Sequence, residues 1–166
     1  MSLQGKRGVI FVMGVSGSGK SSIGRLLAEQ INYTFVEGDN YHAPENVDKM
    51  SRGIPLTDSD RMGWLSQLNQ IAKKNADVGC VIACSALKSS YRIQLAKDID
   101  KQVLWIYLNG DYDLIFNRMK KRKNHFMEAH MLKSQFDDLE EPQNAIMIDV
   151  NQSLDTIIEQ LISHIS

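Results

Sequence analysis

The sequence predicts an α/β domain of three layers, in which a parallel β-sheet lies between two layers of helices. Two observations support this fold class. Short apolar runs alternate along the chain with longer stretches whose apolar residues recur at helical spacing. The short runs are apolar at nearly every position, which is typical of strands that are buried on both faces of a parallel sheet. The 166 residues suit one domain with its own core, so we expect residues 1–166 to fold as a unit.

Five apolar runs are the predicted strands, in chain order. They are Gly8–Met13, Thr34–Glu37, Val81–Cys84, Val103–Leu108 and Ala145–Val150. Helical stripes lie between or after them: Ile23, Leu26, Leu27 and Ile31; Trp64, Leu65, Leu68, Ile71 and Ala72; Leu114, Ile115, Arg118 and Met119; Leu154, Ile157, Ile158, Leu161, Ile162 and Ile165. The last stripe has the clearest spacing, and Ser153 before it is the predicted N-cap. We expect each stripe to pack on the sheet.

Charge and composition exclude several classes of function. The chain has 19 basic and 20 acidic residues and a formal net charge of -1, so no overall field recruits nucleic acid or an anionic membrane. No apolar run reaches membrane-spanning length and no leader pattern is present, so we expect a cytoplasmic protein. Cys80 and Cys84 would lie about 13 Å apart on one strand. That distance excludes a disulfide, and both are predicted to be small core residues.

The run GVSGSGKS, residues 14–21, carries most of the functional information. It fits the phosphate-binding pattern G-x-x-x-x-G-K-[ST] at every specified position, with a predicted strand before it and a helix after it. In such a loop, backbone N–H groups turn toward phosphate oxygens, Lys20 reaches the β and γ phosphates, and the Ser21 hydroxyl binds Mg²⁺. The predicted nucleotide-binding residues are Gly14, Val15, Ser16, Gly17, Ser18, Gly19, Lys20, Ser21 and Ser22. The loop therefore predicts a nucleoside triphosphate site.

A carboxylate at the end of a neighbouring strand often helps to hold Mg²⁺ in such proteins. Asp39 follows the second predicted strand, whereas Asp149 lies within the last one, where a turn-forming role is more typical. We therefore favour Asp39 as a metal ligand together with Ser21. Asp39 also suits phosphoryl transfer to an alcohol, which needs a carboxylate near the acceptor hydroxyl. On the residues alone, a turn-forming aspartate after Gly38 is an equal alternative.

Four more polar residues follow different predicted strands and together suit the binding of an anionic polyol. They are His42, Arg61, Lys88 and Arg92. Singly, each is more typical of a solvated surface charge or a structural histidine. Residues 60–63 also fit the D-x-x-G pattern of GTPases, but no apolar strand precedes them and no N-K-x-D follows. We interpret that match as accidental.

Two segments interrupt the alternation of strands and helices. Residues 38–61 are polar and contain two prolines, and residues 120–130 are dense in basic side chains. In an open α/β sheet, ligands bind beyond the carboxyl ends of the strands, which both segments could cover. We expect an acceptor-binding insertion at about residues 38–65 and a lid at about residues 120–135. Arg118 and Arg122 are four residues apart, so within a helix they would share a face and could close over the nucleotide.

Several longer motifs accompany the phosphate loop. They are Gly38-Asp39-x-x-His42, Asn46-x-x-Lys49-Met50, Pro55-Leu56-x-Asp58-x-Asp60-Arg61-x-x-Trp64-Leu65, Cys84-Ser85-Ala86-Leu87-Lys88-x-x-Tyr91-Arg92, Tyr107-Leu108-x-Gly110, Arg118-x-x-x-Arg122-Lys123-x-His125-Phe126 and Ser134-Gln135-Phe136-x-x-Leu139-Glu140-x-Pro142. With these motifs the chain resembles the gluconate kinase (gluconokinase) family of small phosphate-loop kinases along nearly its whole length. One departure is that Ala43 follows His42 where the family usually has proline, and Pro44 comes one position later.

The resemblance implies a three-layer P-loop NTPase domain of the nucleoside-monophosphate-kinase-like type, with a five-stranded parallel sheet and a helical lid. It implies transfer of the ATP γ-phosphoryl group to the 6-hydroxyl of D-gluconate, with Mg²⁺, in a homodimer. Lys20 would hold the triphosphate and Asp39 would orient the hydroxyl. The remaining implied roles are gluconate binding by Arg61, Lys88 and Arg92, a sugar hydrogen bond from His42, and closure over ATP by Arg118 and Arg122.

Three alternatives fit the sequence less well than this interpretation. A shikimate kinase should have a second aspartate arranged as Asp-x-Asp at Asp39 and a Gly-Gly run after the third strand, and the chain has neither. An adenylate kinase should have Asp-Gly-x-Pro-Arg where residues 84–88 stand. A nucleotide-binding regulator without turnover is disfavoured by the intact Lys20, Ser21 and Asp39.

Overall fold

The computed structural model of the chain describes residues 7–122 and 129–166. Its strands are β1 (Val9–Met13), β2 (Thr34–Glu37), β3 (Cys80–Ala83), β4 (Val103–Asn109) and β5 (Ile146–Asp149). They form one sheet in the order β2-β3-β1-β4-β5, and every neighbouring pair is parallel. The predicted five-stranded parallel sheet is confirmed, and each predicted strand end lies within one residue of the observed one.

The helices in the described residues are α1 (Lys20–Ile31), α2 (Pro44–Ser51), α3 (Asp58–Asn75), α4 (Ser89–Leu95), α5 (Tyr112–Lys120), α6 (Ala129–Asp138) and α7 (Leu154–Ile165). The apolar stripes predict α1, α3, α5 and α7. The predicted N-cap of α7 is confirmed, because the Ser153 side chain accepts a hydrogen bond from the Thr156 N–H. The short helix α2 has no such stripe, since Asn46 is its one buried residue.

Two apolar cores cover the two faces of the sheet. Successive residues of a strand point to opposite faces, so β1 contributes to both cores. Phe11 and Met13 pack with Trp64 and Leu68 of α3 on one side. Ile10 and Val12 pack with residues of α1, α5 and α7 on the other side. This arrangement is the predicted three-layer architecture.

The strand order places the carboxyl end of β1 at the point where the chain changes direction across the sheet. β3 lies on one side of β1 and β4 on the other. Ligands of open α/β sheets bind at such a point. The turn after β2 approaches it closely, because a Cβ on Gly38 would lie 2.3 Å from the Ala83 carbonyl oxygen. Glycine is required there by backbone contact alone.

The two segments that interrupt the predicted alternation contain regular structure. After β2 the chain forms a 3₁₀ turn (Gly38–Tyr41) and then α2, which begins at Pro44. Proline is favoured at the first helical position, which gives Pro44 a local role. The predicted lid region, residues 120–135, includes the end of α5 and most of α6. Residues 123–128 of that region, with Lys123, His125 and Phe126, lie outside the described ranges.

The D-x-x-G match has a structural explanation. Asp60 lies in the first turn of α3 and forms a capping box with Thr57, in which each residue's side chain accepts a hydrogen bond from the other's backbone N–H. The motif is therefore part of a helix start, as the absence of a preceding strand indicates. Both cysteines are buried and free, as predicted. In residues 7–122 and 129–166, no helix is both long and apolar enough to cross a membrane.

Candidate active site

The phosphate loop connects β1 to α1. Residues 14–19 form the turn, and Lys20, Ser21 and Ser22 begin α1. Gly19 precedes α1 with a φ of 97°, a left-handed conformation that favours glycine. The unpaired N–H groups of the first helical turn therefore face the carboxyl edge of the sheet, where they favour anions. Within the described residues the buried Ser18 hydroxyl has no hydrogen-bond partner.

Lys20 is held against this loop. Its ammonium donates a hydrogen bond to the Val15 carbonyl oxygen at 2.9 Å. Burial lowers the pKa of Lys20, and the nearby carboxylates of Asp39 and Glu37 counteract that shift. The side chain thus lies in a poorly solvated position beside two acidic residues. A bound anion would gain an unusually strong electrostatic interaction with such a cation.

Glu37 is a site residue that the sequence interpretation missed. It is the last residue of β2, and its carboxylate accepts a hydrogen bond from the Ser21 hydroxyl. Hydroxyl and carboxylate oxygens are ligands that Mg²⁺ prefers, so this pair fits the predicted cation. The described residues contain no group of three or more His, Cys, Asp and Glu side chains that could hold a metal. Further ligands of the cation would therefore come from phosphate oxygens or water. The position of Glu37 at a strand end, two residues before Asp39, is the signal that could have found it.

Asp39 and His42 lie together after β2. Asp39 is in the 3₁₀ turn, and its side chain is 71% exposed. The His42 side chain is 4% exposed, and its Nε2 lies 3.8 Å from Asp39 Oδ1. The His42 ring stacks on Trp64, whose indole N–H donates to the Gly38 carbonyl oxygen at 2.8 Å. Burial lowers the pKa of His42, which favours the neutral form of its ring. Asp39 is thus free to meet a ligand, while His42 supports the turn from beneath.

Two of the predicted acceptor residues meet in one cluster with two residues that were not predicted. Lys88 donates to Asp58 Oδ1 at 3.0 Å, and the Tyr91 hydroxyl donates to the same carboxylate oxygen. Arg61 donates to the Tyr91 hydroxyl at 2.9 Å and to the Leu56 carbonyl oxygen at 2.8 Å. We call Asp58, Arg61, Lys88 and Tyr91 the acceptor cluster. The motifs that contain Asp58 and Tyr91 were visible in the sequence, but their pairing depends on the packing of α3 against α4.

Arg92 and Arg118 have a different environment from the acceptor cluster. Arg92 donates to the carbonyl oxygens of Ala86, Leu87 and Glu140 at 2.8, 3.0 and 2.8 Å. Arg118 donates to the Val150 carbonyl oxygen at 2.6 Å. Both guanidinium groups therefore hold loops at the carboxyl edge of the sheet. The predicted contacts of Arg92 with the substrate and of Arg118 with the nucleotide stay predictions. The N–H groups that are not engaged in these hydrogen bonds would have to make them.

Arg122 lies beyond the end of α5. The helix ends at Lys120, and the Arg122 N–H donates to the Met119 carbonyl oxygen at 3.1 Å. Arg118 and Arg122 therefore do not share a regular helical face. The positive charge of Arg122 nevertheless contributes to lowering the pKa of Lys20.

Asp149 occupies the turn position that its sequence context suggests. Its carboxylate accepts a hydrogen bond from the Asn151 N–H at 2.8 Å. It closes the turn after β5 and has a local structural partner there.

Comparisons with known proteins extend over most of the chain. A family model described as shikimate kinase matches residues 16–166. The chain is 42% identical to the probable gluconokinase of Mus musculus, over 90% of this chain and 93% of the relative. It is 44% identical to the thermosensitive gluconokinase of Escherichia coli (strain K12), over 90% and 82%. The crystal structure of a gluconokinase from Sinorhizobium meliloti 1021 superposes with a TM-score of 0.88 at 41% identity, covering 96% of this chain and 93% of that one.

Proposed function

Because the chain belongs to the gluconokinase family, we propose that it transfers the γ-phosphoryl group of ATP to the 6-hydroxyl of D-gluconate, giving 6-phospho-D-gluconate. One observation carries the proposal beyond family membership. The phosphate loop with its half-buried lysine and the cluster of cations suited to an anionic polyol both contact α6, the loop at Ser16 and the cluster at Arg61. The donor and the acceptor of the reaction each have a chemically matched set of residues.

The donor side consists of the phosphate loop and the start of α1. The N–H groups of this turn and the Lys20 ammonium would bind the β and γ phosphates. Mg²⁺, when bound, would neutralise the negative charge that develops on the phosphates during transfer. Ser21 and Glu37 would hold it, with Asp39 retained as a second carboxylate for the same cation.

Asp39 is proposed to act on the acceptor. Its carboxylate is exposed, and its negative charge counteracts the lowering of the pKa of Lys20. It would orient the 6-hydroxyl and accept its proton as the hydroxyl oxygen bonds to the γ-phosphorus. The bond from that phosphorus to the bridging oxygen of ADP breaks in the same step. We also propose that His42 forms a hydrogen bond with a sugar hydroxyl.

Arg61 and Lys88 are proposed to bind the carboxylate and hydroxyls of gluconate. Both side chains are already ordered, because Tyr91 and Leu56 hold Arg61 while Asp58 holds Lys88. Side chains that are fixed before binding lose little conformational entropy when the ligand arrives. An arginine beside a lysine offers both a planar fork and a point charge for an anionic group.

Six further assignments complete the proposal. Arg92 would contact the acceptor through its unengaged N–H groups, and Arg118 and Arg122 would contact ATP. Residues 38–65 would form the acceptor insertion and residues 120–135 the lid. The two free buried thiols suit a reducing compartment, which supports a cytoplasmic location. A homodimer rests on the family resemblance, and light scattering of the purified protein would test it.

A turnover assay tests the proposed function. The protein is incubated with ATP and Mg²⁺ and with gluconate, shikimate or AMP, and ADP formation is followed together with ³¹P NMR of the product. We expect rapid turnover with gluconate and a phosphate ester at its 6-position. Lys20→Ala serves as the control and should lose most turnover. No reaction with gluconate, or equal turnover with shikimate, contradicts the proposal, and near-normal kcat in Lys20→Ala contradicts the nucleotide assignment.

A further inference from the structure

Residues 135–140, which we call the bridge segment, contact both halves of the proposed site. At the donor end, Gln135 of α6 makes two hydrogen bonds to one residue of the phosphate loop. Its Oε1 accepts from the Ser16 N–H at 2.7 Å, and its Nε2 donates to the Ser16 hydroxyl at 3.1 Å. Two bonds from one planar amide fix both the distance and the rotation of Ser16 relative to α6. The donor loop is thereby attached to an element that lies far away in the chain.

The other end of the bridge segment lies against the acceptor side. Asp138 Oδ2 is 3.9 Å from the Arg61 guanidinium. The Glu140 N–H donates to the Leu87 carbonyl oxygen at 2.9 Å, and the Glu140 carbonyl accepts from Arg92. Leu87 directly precedes Lys88 in the chain. The bridge segment thus contacts Arg61 itself and the loop that carries the second cation.

The helix that carries residues 135–138 of the bridge segment is firmly packed. Leu132 is fully buried and Met131 nearly so, and the Phe136 ring makes an edge contact with Tyr112. Gln135 and Asp138 are three residues apart on α6, which places them on neighbouring positions of one helical face. A shift of α6 would therefore move the contact with Ser16 and the contact with Arg61 together.

We propose that Gln135 is a positioning residue, which holds the phosphate loop at Ser16 in the register with Arg61 and Lys88 that phosphoryl transfer requires. This inference rests on the proposed function. Phosphoryl transfer depends almost entirely on positioning and charge, because the protein contributes little covalent chemistry. A misplacement of about 1 Å between reacting groups costs on the order of 100-fold in rate. A two-point contact between the halves of the site is therefore expected to act on kcat rather than on the affinity for either substrate.

The test compares two substitutions of similar size at this position. Gln135→Met removes both hydrogen bonds, and we expect kcat to fall by about 10- to 100-fold while both KM values change by less than about threefold. Gln135→Glu can accept hydrogen bonds from both the N–H and the hydroxyl of Ser16, so at saturating ATP it should retain more activity than Gln135→Met. A side chain that merely fills space would give the opposite order, because methionine packs better than a carboxylate in a half-buried position.

Asp137→Asn is the matched control. Asp137 lies on the same helix but is exposed, where it pairs with Lys133 at 2.9 Å. This variant should keep wild-type kinetics. In Gln135→Met the ratio of ADP formed to gluconate phosphorylated should also rise above one, because water competes with a misaligned hydroxyl.

The outcomes separate this inference from the proposed function. A wild type that does not phosphorylate gluconate contradicts the proposed function. In that case the role of Gln135 is tested by the rate of ATP hydrolysis without an acceptor. Gln135→Met should change that rate by about threefold or more, whereas Asp137→Asn should leave it unchanged. An active wild type with unchanged kcat in Gln135→Met, or with Gln135→Met more active than Gln135→Glu, overturns the inference.

Discussion

The hydroxyl of Ser21 donates a hydrogen bond to the carboxylate of Glu37. Ser21 lies in the first turn of α1, which follows the central strand β1, whereas Glu37 ends the edge strand β2. The contact passes the end of β3, where the close approach of Gly38 to Ala83 brings the turn after β2 toward the phosphate loop. This hydrogen bond joins Ser21, which is predicted to bind Mg²⁺, to a carboxylate outside the phosphate-loop motif.

Glu37→Gln should weaken the use of Mg²⁺. The amide keeps the size of the side chain but removes its charge, so the proposed cation loses a favourable partner. Loss of a group that supports a metal ligand typically costs about 10- to 100-fold in metal affinity or activity. We expect the Mg²⁺ concentration for half-maximal turnover to rise by about 10-fold or more, measured at fixed ATP. Glu29→Gln, at an exposed position of α1, is the control. An unchanged Mg²⁺ dependence contradicts the assignment.

Asp39→Asn should reduce kcat by about 10²- to 10⁴-fold, the usual contribution of a positioned acid or base. At saturating Mg²⁺ the affinity for a non-hydrolysable ATP analogue should change little, because phosphate binding depends on Lys20 and the loop N–H groups. Steady-state kinetics measure kcat, and calorimetry measures the affinity for the ATP analogue. Asp48→Asn, which changes an exposed aspartate of α2, should have wild-type activity. Activity within a few-fold of the wild type rejects a catalytic role for Asp39.

Arg61→Ala should act chiefly on gluconate. Hydrogen bonds between charged groups are worth about 1.5–3 kcal/mol, so the KM for gluconate should rise by roughly 10- to 100-fold with a smaller change in kcat. Arg61 also holds Leu56 and Tyr91, so the Tm of the variant must be measured alongside its kinetics. Arg52→Ala removes an exposed arginine of the same region and is the control. An unaffected KM for gluconate would remove Arg61 from the acceptor site.

Asp60 should make stability depend on acid pH. The Thr57 N–H and the Lys49 ammonium lower the pKa of Asp60 to about 2. An unfolded aspartate has a pKa of about 3.9, so the folded state binds fewer protons between these values. The stabilisation is complete above the unfolded pKa and is lost as pH falls through the folded one. Asp60→Asn should therefore lower the Tm at pH 7, and the difference should shrink below pH 4.

Circular dichroism melts from pH 7 to pH 3 measure this effect. Asp77→Asn, at an exposed position after α3, should leave the Tm unchanged over the whole range. A difference between Asp60→Asn and the wild type that stays constant with pH would contradict an electrostatic origin.

The sequence predicts the elements that bury continuous apolar surface. Strands such as β1 and β4 are apolar at nearly every position, and α7 has apolar residues at helical spacing. In contrast, α2 and α4 are short and bury few residues, so periodicity is too weak to show them. The formation of α2 depends on the proline at its start, and both helices depend on contacts with α3.

The chemistry of the donor site was determined by the sequence alone, because a phosphate loop places all its essential groups within eight consecutive residues between a strand and a helix. The motifs of the acceptor side likewise predicted Arg61 and Lys88 as substrate-binding residues. Only the tertiary structure decided which partners these residues have. Glu37 meets Ser21, Asp58 meets Lys88 and Tyr91, and Gln135 meets Ser16. These pairs come from different elements, and parallel strands with crossover helices bring them to one edge only when the whole sheet has assembled.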